Sequence, residues 1–303
     1  MTSATADRTT LAIVLSLVAL VLFDFMALVI KHLSPSFAAA ELSAWRNVIG
    51  LIPAVIALYL TPTWRAAGKP MKLRQWPLAI FRGCAIAAAQ LSFYLGLAKL
   101  AFATASTITY ANALFMTALA VPILGEKVGL ARWSAVLMGF AGVIWIMKPG
   151  GDTFTFDALY PLSAAFFYAL AGATTRLFDE DIPTPLINLY TSFMAAIAAV
   201  IIALSAGGFQ TPDTEALLWI GAMGLFGGCA VLCLIYAYRL TEQSNLAPFS
   251  YFGIPIAFGL GWLFFDEAPW NELFPGALLI IASGLVIVFR ERRKAQKTAT
   301  TQT

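Results

Sequence analysis

The sequence predicts an all-α integral membrane protein of about ten transmembrane helices, arranged as two inverted five-helix repeats. Three observations carry that expectation: apolar runs of spanning length recur along the chain, basic residues collect in alternate connections, and features of the first half reappear in the second. Of 303 residues, 60% are hydrophobic and 12% charged, about half the charged share of a soluble domain. A water-soluble globule is excluded, and little chain remains for an extramembrane domain. Membrane barrel strands alternate apolar with polar, whereas runs such as Ala195 to Leu204 are continuously apolar. Helices are therefore expected.

The runs fall at about 11–31, 37–60, 76–98, 102–124, 130–148, 157–178, 185–206, 214–239, 246–265 and 271–289. The first, Leu11 to Ile30, is too long for a signal-peptide core and lacks a small-x-small cleavage site before Lys31, so it reads as a retained helix. Connections such as Lys99 to Ala101, Gly125 to Gly129 and Phe265 to Trp270 are short, which predicts a compact bundle. An even number of spans puts both termini on one side. That side collects Arg8, Arg65, Lys69, Lys72, Arg74, Lys127, Arg132, Arg176, Arg239, Arg290, Arg292, Arg293, Lys294 and Lys297, against Lys31, Lys99 and Lys148 on the other. Lys and Arg accumulate in cytoplasmic connections, so both termini are expected in the cytoplasm of a multi-pass inner-membrane protein. The same placement makes the net charge of +3 a mark of orientation and not of a nucleic-acid partner. Cys84, Cys229 and Cys233, an odd number inside apolar runs, argue against a disulfide framework.

The halves answer each other. Lys99-Leu100 at the end of run three recurs 140 positions later as Arg239-Leu240, and Glu126 recurs at that offset as Asp266. Ala141-Gly142 answers Ser283-Gly284 with a shift of two, and Lys31 closes run one as Arg176 closes run six. An odd number of spans per unit turns the second copy upside down. Residues 1–150 and 151–303 are therefore expected to be two such repeats, the second with a basic cytoplasmic tail. This is the pattern of a secondary transporter whose site lies near the midplane.

The segment from Asp24 to Lys31, Arg46 within Glu41 to Asn47, the stretch from Ala105 to Phe115 followed by Pro122 to Glu126, and the stretch from Ala247 to Pro255 ending in Asp266-Glu267 together resemble the drug/metabolite transporter superfamily, in particular its EamA-type ten-helix members. The resemblance covers essentially the whole chain. It implies a pore-lining bundle, alternating access, and small polar or amphipathic cargo such as amino acids, nucleosides, vitamins or drugs.

Ionisable groups inside the runs are few, and each costs at least ~2.5 kcal/mol to place at mid-bilayer, so each is a functional candidate. Asp24 lies about eight residues, ~12 Å, from the outer end of run one, and Arg46 about ten residues, ~15 Å, inside run two. Similar depth and a short turn between them predict that they pair or share a cavity, as substrate or proton-coupling groups or as a purely structural ion pair. Arg82, about six residues from the inner end of run three, is expected to snorkel to the surface. Gln90 and Tyr94 share one helix face, suited equally to polar cargo and to bonds between helices. Run four carries Thr107, Thr109, Tyr110 and Asn112, and run nine carries Ser250 and Tyr251 among Pro248, Gly253 and Pro255. Tyr236 and Trp45 are candidates to stack on flat cargo, though packing or an interface anchor is the commoner use. Glu126-Lys127 and Asp266-Glu267 at helix ends are expected to pin loops or gates, and His32 to be solvated. Cys229 and Cys233 lack companions for a metal, and the sequence has no phosphate-binding Gly-Lys-Ser/Thr loop, nucleophile elbow or His-Glu-x-x-His, so neither a cofactor nor ATP-driven pumping is expected.

The leading expectation is a non-enzymatic transporter of amino acids or related metabolites, exporting by alternating access, acting as a monomer with the lipid bilayer and the small-molecule cargo as its partners. Proton-coupled uptake of a vitamin or nucleoside-like compound is the first alternative. An intramembrane enzyme or a non-transporting scaffold is the alternative of another class.

Overall fold

The computed structural model describes residues 2–66, 68, 71–125, 129–147, 155–179, 181–240, 246 and 249–286. The expectations for Glu126-Lys127, Lys148, Pro248 and the basic tail lie outside these. Every regular element among the described residues is helical. In chain order they are α1 (Thr2–Leu33), α2 (Ala39–Tyr59), α3 (Pro62–Ala66), α4 (Trp76–Lys99), α5 (Phe102–Thr109), α6 (Asn112–Leu124), α7 (Leu130–Met147), α8 (Leu159–Thr175), α9 (Thr184–Ser205), α10 (Thr214–Leu240), α11 (Gly253–Phe265), α12 (Trp270–Leu273) and α13 (Gly276–Val286).

Among the described residues, seven helical segments are long and apolar enough to cross a membrane: Thr10–Leu33, Ala39–Tyr59, Trp76–Lys99, Phe102–Leu124, Phe156–Thr175, Thr184–Ser205 and Thr214–Leu234. Shorter apolar helices, Trp133–Met147, Gly253–Phe265 and Gly276–Val286, fall in the fifth, ninth and tenth apolar runs. Large apolar side chains such as Ile52, Leu137, Ile201, Leu218 and Leu263 point outward, as lipid contact requires of a multi-pass protein.

The fourth run is a discontinuous helix. α5 stops at Thr109, Tyr110 and Ala111 form a turn, and α6 resumes at Asn112. In the ninth run Tyr251 and Phe252 form the corresponding turn before α11. α6 and α11 are each 13 residues long and lie 141 positions apart. Both end in a left-handed residue, Gly125 at φ 66° and Asp266 at φ 53°, a conformation glycine adopts freely and aspartate tolerates. The backbone offset is thus 141, not the 140 read from Glu126 and Asp266. In the corrected register each cap is followed by a glutamate, Glu126 and Glu267.

Helix neighbours are set by small residues. α10 packs against both α1 and α2, which have little contact with each other although a short turn joins them. A Cβ on Gly224 would stand 2.2 Å from Ile49 Cγ2, and one on Gly228 2.1 Å from Pro53 Cγ, so bare backbone lets α2 approach. Met26 of α1 and the Arg46 guanidinium of α2 both meet α10 at Gly227. One apolar core joins α1, α2, α4 and α10 around Ile30, Leu42, Leu97 and Met223; another joins α5, α6, α7, α11 and α13 around Ile108, Leu114, Val143 and Ile280.

Candidate functional site

Arg46 projects from the second turn of α2, half-buried, where α2, α4, α8 and α10 converge. Its Nη1 donates to Asn47 Oδ1 at 3.3 Å. Asn47 is itself tied down, its Nδ2 donating to Gln90 Oε1 at 2.6 Å and to the Ser43 carbonyl at 2.8 Å. Gln90 thus engages its Oε1 in a bond between α4 and α2. Tyr94, one turn further along α4, is 1% exposed and its hydroxyl has no hydrogen-bond partner among the described residues. Tyr94 and Tyr168 of α8 both interact electrostatically with Arg46 and with each other. The buried Trp45 Nε1 and Ser43 Oγ are likewise unpartnered, and the Trp45 ring stands edge-on to Phe209 with centroids 5.5 Å apart.

Asp24 lies mid-helix in α1, 7% exposed, with Oδ2 unpartnered among the described residues. Its electrostatic neighbour is Tyr110, at the turn between α5 and α6. The Tyr110 ring meets that of Tyr251 at 6.3 Å, so the break points of the two discontinuous runs touch. The Tyr110 hydroxyl occupies the space where a Cβ on Gly253 would stand, so only glycine fits there. Thr104, Ser106 and Thr107 of α5 are buried, and their hydroxyls have no partner among the described residues. Asn112 is half-buried as the first residue of α6, and Ser250 is exposed just before the second break.

Asp24 and Arg46 form no ion pair with each other among the described residues. The reason is geometric. Residues two apart on a helix point about 200° apart, so placing Met26 against Gly227 turns Asp24 away from the α10 face where Arg46 lies. They form separate groups, Asp24 with Tyr110 and Tyr251, Arg46 with Tyr94 and Tyr168.

Arg82 does not snorkel. Its Nε donates to the Ala171 carbonyl at 2.9 Å and to Thr175 Oγ1 at 3.0 Å, and its Nη1 to Thr191 Oγ1 at 2.9 Å, which locks α4 to α8 and α9. Tyr236 stands apart from both groups, with Cys229 and Cys233 along a wholly apolar groove of about 470 Å³ between α1 and α10. His32 is exposed, its ring 5.2 Å from that of Trp219. Glu267 pins a loop, as expected of an acid at a helix end. It pairs with Lys31 Nζ at 2.7 Å and accepts the Phe102 N–H at 2.8 Å, while Lys31 also donates to the Leu100 carbonyl at 2.8 Å. Sequence reasoning overlooked Tyr168, in the apolar middle of its run, and Asn47, beside Arg46.

The EamA-like transporter family model matches the chain twice, over residues 10–148 and 156–289. The riboflavin transporter of Vibrio cholerae is 33% identical over 175 residues, which span 57% of this chain and 58% of that relative. The S-adenosylmethionine uptake transporter of Rickettsia prowazekii is 25% identical over 279 residues, 92% of each chain. A pseudopaline exporter of Pseudomonas aeruginosa is 27% identical over 280 residues, covering 91% of this chain and 95% of that one. A solved crystal structure superposes with a TM-score of 0.65 at 18% identity, over 93% of this chain and 98% of that chain, which shows the shared fold. These relatives are named as transporters and none as an enzyme. With both halves matched by the family model and two relatives aligned over nine-tenths of its length, this chain belongs to the EamA-like transporter family.

Proposed function

We propose that the chain is a secondary transporter carrying a small metabolite by alternating access between two inverted repeats of five membrane helices, residues 1–150 and 151–303, with both termini cytoplasmic. The observation that carries this reading is the meeting of Tyr110 and Tyr251 at the break points of two matching discontinuous runs, beside the buried carboxyl group of Asp24. A helix that tightens to i−3 bonds partway along its length has a place to flex there, and transport sites are built at such interruptions. Asp24, Tyr110 and Tyr251, with Asn112 and Ser250 at the two breaks, and Arg46, Tyr94 and Gln90 at the α2–α4 face make up the cargo path in this reading. Tyr236 is assigned to the lipid-facing groove. Amino acids or related compounds, moved outward, are the proposed cargo and direction. Uptake of a vitamin or nucleoside-like compound in exchange for protons is a second reading, favoured by relatives named for riboflavin and for S-adenosylmethionine uptake.

Counterflow in liposomes tests it. Full-length protein is preloaded against pooled amino acids, nucleosides, riboflavin and S-adenosylmethionine, with and without a pH gradient. Accumulation of one labelled compound is the expected result. Chemical conversion without flux, or no flux at all, sinks the proposal, and a confirmed cargo indifferent to the gradient removes the proton from it.

A further inference from the structure

We infer that Arg46, with the hydroxyls of Tyr94 and Tyr168, is an anion-binding end of the cargo path and takes a carboxylate borne by the cargo. This assignment rests on the transport reading above. A guanidinium is permanently charged and presents five N–H donors. Arg46 has no carboxylate in ion-pair range among the described residues, and a single acceptor, Asn47 Oδ1, at 3.3 Å. Arg82 shows what a structural arginine looks like in the same bundle, with three bonds of 2.9–3.0 Å to oxygens of two neighbouring helices. Arg46 has no such bonds to neighbouring helices among the described residues.

The groups around it are donors too. The Tyr94 hydroxyl is buried without a partner among the described residues, and leaving such a donor unpaired is unfavourable unless something comes to accept from it. Tyr168 sits within electrostatic reach of both. A guanidinium edge matches the two oxygens of a carboxylate, and one positive charge balances one negative charge. A phosphate dianion would leave net charge at membrane depth, which is costly. The cluster also draws on both halves of the chain, α2 and α4 from the first, α8 and the Gly227 notch of α10 from the second. A ligand held there is held by both.

The experiment compares matched probes in counterflow on full-length protein in liposomes: S-adenosylmethionine and its decarboxylated analogue, pooled amino acids and their amides, riboflavin, and riboflavin 5′-phosphate. Transport of a carboxylate compound is expected, with its decarboxylated or amide partner competing about tenfold to a hundredfold less well. Arg46→Gln is expected to abolish that discrimination, and Arg46→Lys, which keeps charge but not the fork, to retain part of it. If Arg46→Gln does not fold, the matched-probe ratio in the unaltered protein decides alone. Flux of riboflavin or its phosphate with no competition from carboxylates, or discrimination unchanged in folded Arg46→Gln, overturns the assignment and leaves the transport reading standing. No flux of any probe overturns both.

Discussion

Lys31 ends α1 with its ammonium held by a carboxylate, a backbone carbonyl and the face of Phe265, whose centroid is 5.2 Å away. Glu267 serves two partners, Lys31 and the amide that opens α5, so a single carboxylate ties α1, α5 and the loop after α11 together. The side chains are 12% and 29% exposed, enough solvent to weaken the pair but not to replace it. Replacing Glu267 by Gln removes the counter-charge from Lys31, and a loss of about 1–3 kcal/mol is expected, read as a lower melting temperature in detergent. Adding Lys31→Met should recover part of that loss. Strictly additive effects in the double-mutant cycle would show that the two side chains are not coupled. The sequence does not name this pair: Lys31 marks the outer end of the first run, and Glu267 reads as an acid that pins a loop without a named partner.

On the scale of elements, α10 decides which helices are neighbours. Gly224, Gly227 and Gly228 let two other helices reach its backbone, whereas a Cβ on Gly221 would meet nothing within 4 Å. Gly228→Ala forces Pro53 or α2 to move, at about 1–3 kcal/mol. Gly221→Ala on the same helix is expected to be neutral or to stabilise by about 0.5–1 kcal/mol, through helix preference alone. Equal melting temperatures for the two variants would refute the packing argument. Helix positions were readable from run length, since the seven spanning segments match seven runs to within a few residues. The turns at Tyr110 and Tyr251 were not, because the residues there keep right-handed helical dihedrals and each turn shows only as a switch from i−4 to i−3 backbone bonds.

At the scale of the whole molecule, the proposed orientation makes the connection before α10 external and the one before α4 cytoplasmic. In a variant lacking Cys84, Cys229 and Cys233, a cysteine placed by Thr211→Cys should react with an impermeant maleimide on intact cells, and one placed by Lys72→Cys only after lysis. The opposite pattern would invert the topology. The basic end carries its own ties between the connections: Gln75 bonds the backbone of Leu177 and Asp179, Arg74 pairs with Asp179 at 3.5 Å, and Tyr190 donates to the Met71 carbonyl.

The sequence alone determined the all-helical, multi-pass class, the approximate limits of each apolar run and the resemblance to the family, because hydrophobic length is a local property that adds up residue by residue. Only the tertiary structure decided that Asp24 and Arg46 stand in separate groups, that Arg82 bonds α8 and α9, and that Lys31 meets Glu267. In an apolar surrounding, helices choose partners by close approach of small residues and by the reach of a few polar side chains. Those contacts join positions as much as 236 residues apart, and no local pattern encodes them.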